Sequence, residues 1–255
     1  MKHFLITALL AVSTTRGQAP PAAAPKPSTA KQAAPADLTG YWVSVVTEDW
    51  RWRMVTPLQG DAASVPLNAA ARKLVDAWDP AQDQAAGLAC KAYGAPAILR
   101  VPGRLRIAWQ DDNTLKMETD AGTQTRLFHF GGQAPGGIEP SWQGYSAARL
   151  ERPAGGPVGI PLGMAPRAGA RSRSLEVVTT NLRSGYLRKN GVPYSERTTL
   201  TEYFDRFREP NGDEWFTVTT IVTDPTYLAI PFVTTSDFRR EPDGARFQPG
   251  PCSVR

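Results

Sequence analysis

The side chains best suited to acid–base chemistry lie in two segments that alternate like β-strands. The first segment holds His129, one of two histidines in the sequence, and the second holds Tyr203 and Asp205. An imidazole titrates near neutral pH and can exchange protons with a substrate beside a carboxylate or phenol. If the three side chains meet in one cavity, they form the acid–base set of a cofactor-free isomerase, dehydratase or cyclase. The structural alternative for His129 is a hydrogen bond to a neighbouring strand.

The strand at residues 201–207 has a structural interpretation as well, because charge occurs on both of its faces. Glu202 and Arg206 share one face, and Tyr203 and Asp205 share the other. A buried charge needs a partner, so a carboxylate of this strand is expected to pair with an arginine from another segment. The candidate arginines are Arg53, Arg126 and Arg149.

A second set of side chains is suited to binding rather than to reaction. Tryptophan and tyrosine supply apolar surface to a cavity, and an arginine or histidine orients one polar end of a ligand. The predicted ligand-binding residues are Trp42, Trp50, Trp52, Arg53, Arg126, Trp142 and Tyr145, with His129 as a further polar candidate. They indicate a small hydrophobic ligand such as a terpenoid, a sterol or a fatty acid.

The sequence does not support a zinc site, a serine hydrolase, a phosphate-binding loop or a nucleic-acid surface. A zinc site needs three or four nitrogen or sulfur ligands, and His129 is the one histidine outside the N-terminal residues 1–19. Ser141 lacks the Gly-x-Ser-x-Gly elbow of serine hydrolases, and no glycine-rich phosphate cradle occurs. The net charge of +5 comes from arginines mixed with acids, without a basic block. We therefore predict no metal, no cofactor and no nucleic-acid partner.

Residues 1–19 have the layout of a secretory signal peptide, and no transmembrane segment follows. Removing them takes away Lys2, Arg16 and no acid, so the formal charge falls from +5 to +3. Cys90 and Cys252 are expected to form a disulfide in an oxidising compartment, and neither lies where a lipid would be attached. We predict a periplasmic or secreted protein, with its oligomeric state left open.

The remaining chain is predicted to be a short tether followed by one domain. Residues 20–36 are rich in Pro and Ala and hold no large apolar side chain, so they are predicted to be disordered. Residues 38–55 are predicted to form a β-hairpin that turns at residues 47–49, because residues 50–54 alternate between apolar and charged. Three- and four-residue spacing predicts a helix over residues 66–78, and a second short helical turn over residues 80–88.

From residue 97 onward the pattern is that of a β-protein. Predicted strands cover residues 97–101, 104–110, 114–119, 123–130, 143–151, 174–181, 198–207, 215–223 and 232–240. Between them lie turn sequences rich in Asp, Asn and Gly, a Gly- and Pro-rich insertion at residues 152–172, and a predicted exposed turn at residues 190–194 that carries Arg188 and Lys189. The fold class is mainly β, an antiparallel up-and-down barrel over residues 37–255, with a β-sandwich as the alternative.

Three motifs carry a resemblance to known proteins. Gly40-Tyr41-Trp42, the turn at residues 109–115 and the closing segment at residues 224–232 resemble those of a group of uncharacterised secreted bacterial proteins. Gly40 and Trp42 also resemble the Gly-x-Trp signature of lipocalin-type barrels, which implies a cup that binds a small apolar molecule. The helix at residues 66–78 departs from that pattern, since it follows the opening strands.

Three functions remain open from the sequence. The first is a lipocalin-like carrier of a small hydrophobic molecule, and the second is the acid–base enzyme centred on His129. The third is an envelope assembly protein, which would have a filled interior and aromatic side chains outside.

Overall fold

The computed structural model describes residues 28–34, 37–132, 134–150 and 174–254. The predicted signal peptide and the insertion at residues 152–172 lie outside the described residues. Within the predicted tether, Ala30–Ala33 forms a short helix, α1, whose backbone donates hydrogen bonds to Asp112 and Asn113. Among the described residues, no helix is both long and apolar enough to cross a membrane.

Nine strands of the described chain close into a barrel, which confirms the predicted mainly-β barrel and rules out the sandwich. In spatial order the barrel runs β1-β11-β10-β9-β6-β5-β4-β3-β2. The strands are β1 (Gly40–Val45), β2 (Arg104–Trp109), β3 (Thr114–Thr119), β4 (Gln124–Phe130), β5 (Tyr145–Leu150), β6 (Leu175–Thr180), β9 (Thr199–Arg208), β10 (Glu214–Thr223) and β11 (Phe232–Glu241). A two-stranded hairpin, β7 (Gly185–Arg188) and β8 (Val192–Tyr194), lies outside the barrel.

One strand pair departs from the predicted antiparallel up-and-down order. β4 and β5 are parallel, with Phe128 opposite Ser146, whereas every other neighbouring pair in the described barrel is antiparallel. A parallel pair needs a connection that returns along the strands, and residues 131–144 provide it. β6 then pairs with β9, because the β7–β8 hairpin is inserted between them in the chain.

The interior of the barrel is a packed aromatic core. Trp42, Phe128, Phe204, Phe216 and Phe238 are each at most 2% exposed. The Trp42 and Phe216 rings lie 4.7 Å apart, and those of Phe216 and Phe238 lie 4.8 Å apart. Side chains so completely covered do not border a space that could hold a ligand, so these residues do not form the predicted apolar cup.

Two segments that were predicted as strands are helical. The second half of the expected opening hairpin is α2 (Trp50–Arg53), and β1 pairs instead with β2 and β11. Asp49 has a left-handed backbone (φ 52°), and its carbonyl accepts the first hydrogen bonds of α2. Residues 97–101 were also wrongly predicted, because Ala95–Ile98 is a helix, α5, with a proline in its first turn. Short apolar runs do not distinguish a buried helix from a strand.

A cap of helices and loops covers one end of the barrel. It contains the two confirmed helices α3 (Ala69–Asp76) and α4 (Pro80–Ala85), a 3-10 helix (Ala89–Tyr93), α2, α5 and the β7–β8 hairpin. Leu187 and Val192 of the hairpin belong to the same apolar cluster as Leu200 and Val222 of the barrel. The predicted exposed turn at residues 190–194 is therefore wrong. Asn190 is fully buried, and its Nδ2 donates to the carbonyl oxygens of Leu58 (2.8 Å) and Asp61 (2.9 Å).

The predicted disulfide between Cys90 and Cys252 is present, with the two Cα atoms 5.1 Å apart. It fastens the C-terminal tail to the 3-10 helix of the cap. Gly250 adds two hydrogen bonds of 2.9 Å, one to the Asp120 carbonyl oxygen and one from the Thr123 hydroxyl. The tail therefore runs from the end of β11 to the opposite end of the barrel.

We expect the Cys252→Ser variant to lose up to roughly 5 kcal/mol of unfolding free energy, because the bridge closes a loop of 162 residues. Urea unfolding of the variant and of the wild-type protein measures the difference. The Cys90→Ser/Cys252→Ser double variant is the control and should match the single variant. An unfolding free energy equal to that of the oxidised wild-type protein would contradict the expectation.

The barrel end opposite the cap carries one carboxylate shared by three arginines. Glu214 accepts hydrogen bonds from Arg206 (2.7 Å), Arg208 (3.0 Å) and Arg240 (2.7 Å). These guanidinium groups, with Arg240 the largest contributor, lower the pKa of Glu214 from 4.5 to about 2. The folded state therefore favours the ionised carboxylate more strongly than the unfolded state does.

Because the folded pKa is depressed, the contribution of Glu214 to stability is present above about pH 4.5 and is lost as the pH falls toward 2. We expect Glu214→Gln to be less stable than the wild-type protein at neutral pH and to lose less stability over that acidic interval. Urea unfolding across the pH range measures both slopes. Equal slopes for the two proteins would show that this cluster does not set the acid sensitivity.

Candidate functional site

The barrel interior contains a buried ion pair. Its hydrogen bonds connect side chains from four adjacent strands. Arg126 on β4 donates from its two terminal nitrogens to the two carboxylate oxygens of Glu202 on β9, at 2.9 and 2.5 Å. Thr179 on β6 accepts a further bond from Arg126 (3.2 Å) and lies 2.7 Å from the hydroxyl of Ser146 on β5. Arg126 and Glu202 are at most 1% exposed. The predicted pairing of a carboxylate of β9 with Arg126 is therefore confirmed, and Arg126 is closed to a ligand.

The predicted acid–base set does not form. His129 lies on the outer face of β4, where its ring stacks on Tyr145 at 4.7 Å. Asp205 lies on the outer face of β9 with Tyr203 and accepts a hydrogen bond from Ser174. Because β5 and β6 separate them, the strands β4 and β9 are about 14 Å apart at the usual strand spacing, and Tyr203 and Asp205 lie two and four residues along β9 from the position level with His129. The prediction failed because a sequence does not show which strands are neighbours.

Most of the predicted ligand-binding aromatics are dispersed. Trp42 belongs to the core, and its Nε1 donates to the Leu38 carbonyl oxygen (2.9 Å). Trp50 is 69% exposed on the surface of the cap. Trp142 and Tyr145 lie outside the barrel, where the Trp142 Nε1 donates to the Ser184 carbonyl oxygen (3.0 Å). These four residues do not line one cavity.

Trp52 and Arg53, by contrast, meet in a pocket of the cap. We call this cavity of about 360 Å³ the cap pocket. Its apolar wall includes Trp52, Met54, Val55, Val101, Pro102 and Leu187, and its basic wall consists of Arg53, Arg100, Arg188 and Lys189. None of the described residues that line the pocket is acidic. The pocket therefore combines apolar surface with positive charge.

Arg53 is the least compensated charge of the basic wall. Its Nε donates to the Arg100 carbonyl oxygen (3.1 Å), while Nη1 and Nη2 are buried and find no hydrogen-bond partner among the described residues. Burial, followed by repulsion from the Arg100 guanidinium, lowers the pKa of Arg53 to about 10. The side chain is therefore still cationic at neutral pH.

The other arginines of the wall are held by their surroundings. Arg100 donates to Asp49 (2.6 Å) and lies 3.6 Å from Glu48, so its charge is largely matched. Arg188 donates to the Ala63 carbonyl oxygen (2.8 Å) and the Ser64 hydroxyl (3.0 Å). Burial and then Arg100 lower the pKa of Arg188 to about 10.

The apolar and basic walls are joined at Trp52. The guanidinium groups of Arg188 and Arg51 lie 4.7 Å and 4.8 Å from the centre of the indole, and the Trp52 Nε1 donates to Asp61 (3.1 Å). The geometry is that of a cation–π contact, and it fixes the plane of the ring. Trp52 thus offers a rigid apolar surface next to positive charge.

The C-terminal tail contacts two of the residues that line the cap pocket. Ser253 accepts a hydrogen bond from the Lys189 ammonium (2.9 Å), and its hydroxyl lies 3.2 Å from the Tyr93 hydroxyl. Lys189 and Tyr93 both line the pocket. Because Ser253 follows Cys252, the disulfide also positions these contacts.

A second cavity, of about 350 Å³, lies beside α4 and is lined by Trp78, Asp83, Lys91 and Tyr186. Asp83 accepts hydrogen bonds from the other three, at 3.0 Å from Trp78, 3.2 Å from Lys91 and 2.8 Å from Tyr186. Burial and then Asp83 raise the pKa of Tyr186 above its ordinary value. These groups satisfy one another, so we interpret the cluster as a junction that joins α4, the 3-10 helix and β7.

Sequence reasoning missed Arg100, Arg188 and Lys189. Arg100 fell in a segment predicted as a strand, and the other two fell in the predicted exposed turn. The available signal was a single arginine within the apolar run of residues 95–101. The described residues contain no cluster of His, Cys, Asp and Glu that could hold a metal ion.

Comparisons of the chain with protein-family models, with curated proteins and with solved structures found no match.

We expect Glu202→Gln to cost roughly 3–5 kcal/mol of unfolding free energy, because it leaves the Arg126 charge buried and unpaired. The Arg126→Met/Glu202→Leu double variant should recover most of that loss, since it removes both charges from the core. Chemical denaturation of the three proteins measures the values. A double variant as unstable as the single variant would show that the pair contributes more than charge compensation.

Proposed function

We propose that the protein binds a small molecule with an apolar body in the cap pocket. The observation that carries the proposal is a pocket of about 360 Å³ with an apolar wall built around Trp52, in a protein whose barrel interior is filled by its own side chains. Concave, mainly apolar pockets with a few fixed polar groups are typical of ligand sites. The ligand site of this proposal is the cap rather than the barrel cup.

Exposed apolar side chains support the same site. Met54 and Val55 line the cap pocket yet are 59% and 63% exposed. Large apolar side chains at the mouth of a pocket gain free energy when a ligand covers them. A bound apolar body would cover both of them and the indole of Trp52.

We further propose that the protein acts in an oxidising compartment outside the cytoplasm. The disulfide between Cys90 and Cys252 supports this proposal, because such bonds persist in secreted and periplasmic proteins. The signal-peptide layout of residues 1–19 supports export independently.

A second candidate function is interaction with another envelope protein. Trp50 and Leu58 are 69% and 82% exposed and do not line the cap pocket. Exposed apolar side chains of this size favour a protein contact. In that case substitution of Trp50, and not of Trp52, would abolish the function.

The binding proposal predicts that octanoate or octanol, which are small enough for the cap pocket, binds the protein in titration calorimetry. We expect Trp52→Ala to weaken that binding roughly tenfold or more, because it removes the main apolar surface of the pocket. Trp50→Ala is the matched control on the same helix and should bind like the wild-type protein. If neither compound binds, or if Trp50→Ala and Trp52→Ala lose binding equally, the proposed site is wrong.

A further inference from the structure

Arg53 is a buried cation whose charge the protein does not match. The side chain is 7% exposed, and no carboxylate of the described residues lies within ion-pair distance of it. The nearest acids act on it only at longer range, and Glu48 and Asp49 are engaged by Arg100. Asp237 is held by the hydroxyls of Thr47 and Thr217. Buried guanidinium nitrogens without acceptors are costly, so their position calls for an explanation.

The two unpartnered nitrogens of Arg53 form one guanidinium edge that is buried in the ligand-free protein, so a ligand contacts it once the covering side chains of the cap shift. A guanidinium binds a carboxylate through two parallel N–H···O bonds from such an edge. Arg188 has used both of its terminal nitrogens on Ala63 and Ser64, and Arg100 is held by Asp49. Lys189, the remaining cation of the wall, donates to the Ser253 hydroxyl, so the two parallel donors of Arg53 are the part of the described wall that fits one carboxylate.

On the basis of the binding function proposed above, we propose that the ligand is an organic monocarboxylate. Its carboxylate accepts hydrogen bonds from Nη1 and Nη2 of Arg53, and its apolar body lies against Trp52, Met54 and Val101. The anion supplies the counter-charge that Arg53 lacks among the described residues. Arg53 is then the residue that determines specificity for acids over neutral molecules of the same shape.

Electrostatics of the neighbouring groups agree with this assignment. Burial and the proximity of Arg100 lower the pKa values of both Arg53 and Arg188, which shows that the pocket disfavours a further positive charge. A bound anion would relieve both effects. Glu48, Asp49 and Asp237 act on Arg53, and Asp49 and Asp61 act on Arg188, but none of these acids lines the pocket.

The stability of an Arg53 variant distinguishes a structural role of this side chain from a role in ligand binding. If the side chain is needed for folding, Arg53→Met should lower the melting temperature. If it serves a ligand, Arg53→Met should leave the ligand-free protein at least as stable, because an unmatched buried charge is replaced by an apolar side chain of similar length.

The experiment compares octanoate, octanol and octyl phosphate in titration calorimetry against wild-type protein, Arg53→Met and Arg72→Met. We expect the wild-type protein to bind octanoate roughly 10- to 100-fold more tightly than octanol, as for hydrogen bonds to a charged group. Arg53→Met should lose this preference while it still binds octanol. Arg72→Met removes an exposed arginine of the cap helix α3 that does not line the pocket, and it should keep the preference.

Every other outcome contradicts either the carboxylate assignment or the binding function itself. Equal affinity of the wild-type protein for octanoate and octanol would refute the carboxylate assignment and leave the binding function in place. Tighter binding of octyl phosphate would replace the carboxylate by a phosphate. Absence of binding by all three compounds would remove the proposed function itself. If Arg53→Met does not fold, melting curves of the wild-type protein decide the question, since octanoate and not octanol should raise the melting temperature.

Discussion

The buried ion pair between Arg126 and Glu202 is the interaction on which the barrel depends. Two charges that are almost completely removed from water require each other, and they bring β4 and β9 into a fixed relation across β5 and β6. Below this polar layer the barrel is closed by aromatic side chains such as Trp42 and Phe216. Because the barrel is filled in this way, the proposed ligand site lies where the helices and the hairpin cover its end.

Arg126 and Arg53 show two different uses of a buried arginine. Arg126 meets a carboxylate with both terminal nitrogens and has a hydroxyl beside it, so it belongs to the framework of the barrel. Arg53 is nearly as well buried, but its terminal nitrogens have no acceptor in the described chain. Natural proteins rarely retain such a cost without a function, and this contrast is the reason for placing recognition at Arg53.

The sequence predicts the barrel well because its strands alternate, as β10 does from Phe216 to Val222. It fails where tertiary contacts override a short pattern. The alternating residues 50–54 are helical because Asp49 turns the chain, and residues 190–194 are buried because Asn190 bonds to distant carbonyl groups. The candidate site was predicted only in part for the same reason. Trp52 and Arg53 are adjacent in sequence, whereas Arg100 and Arg188 join them only through the packing of the cap.

The most direct test of this account is a crystal structure of the protein with octanoate that carries bromine at the end of its chain. The account predicts that the carboxylate binds the two terminal nitrogens of Arg53, with the anomalous signal of bromine beside Trp52 and Val101 in the cap pocket. A bromine signal inside the barrel, or a carboxylate bound at a different cation with Arg53 still unpartnered, would contradict it.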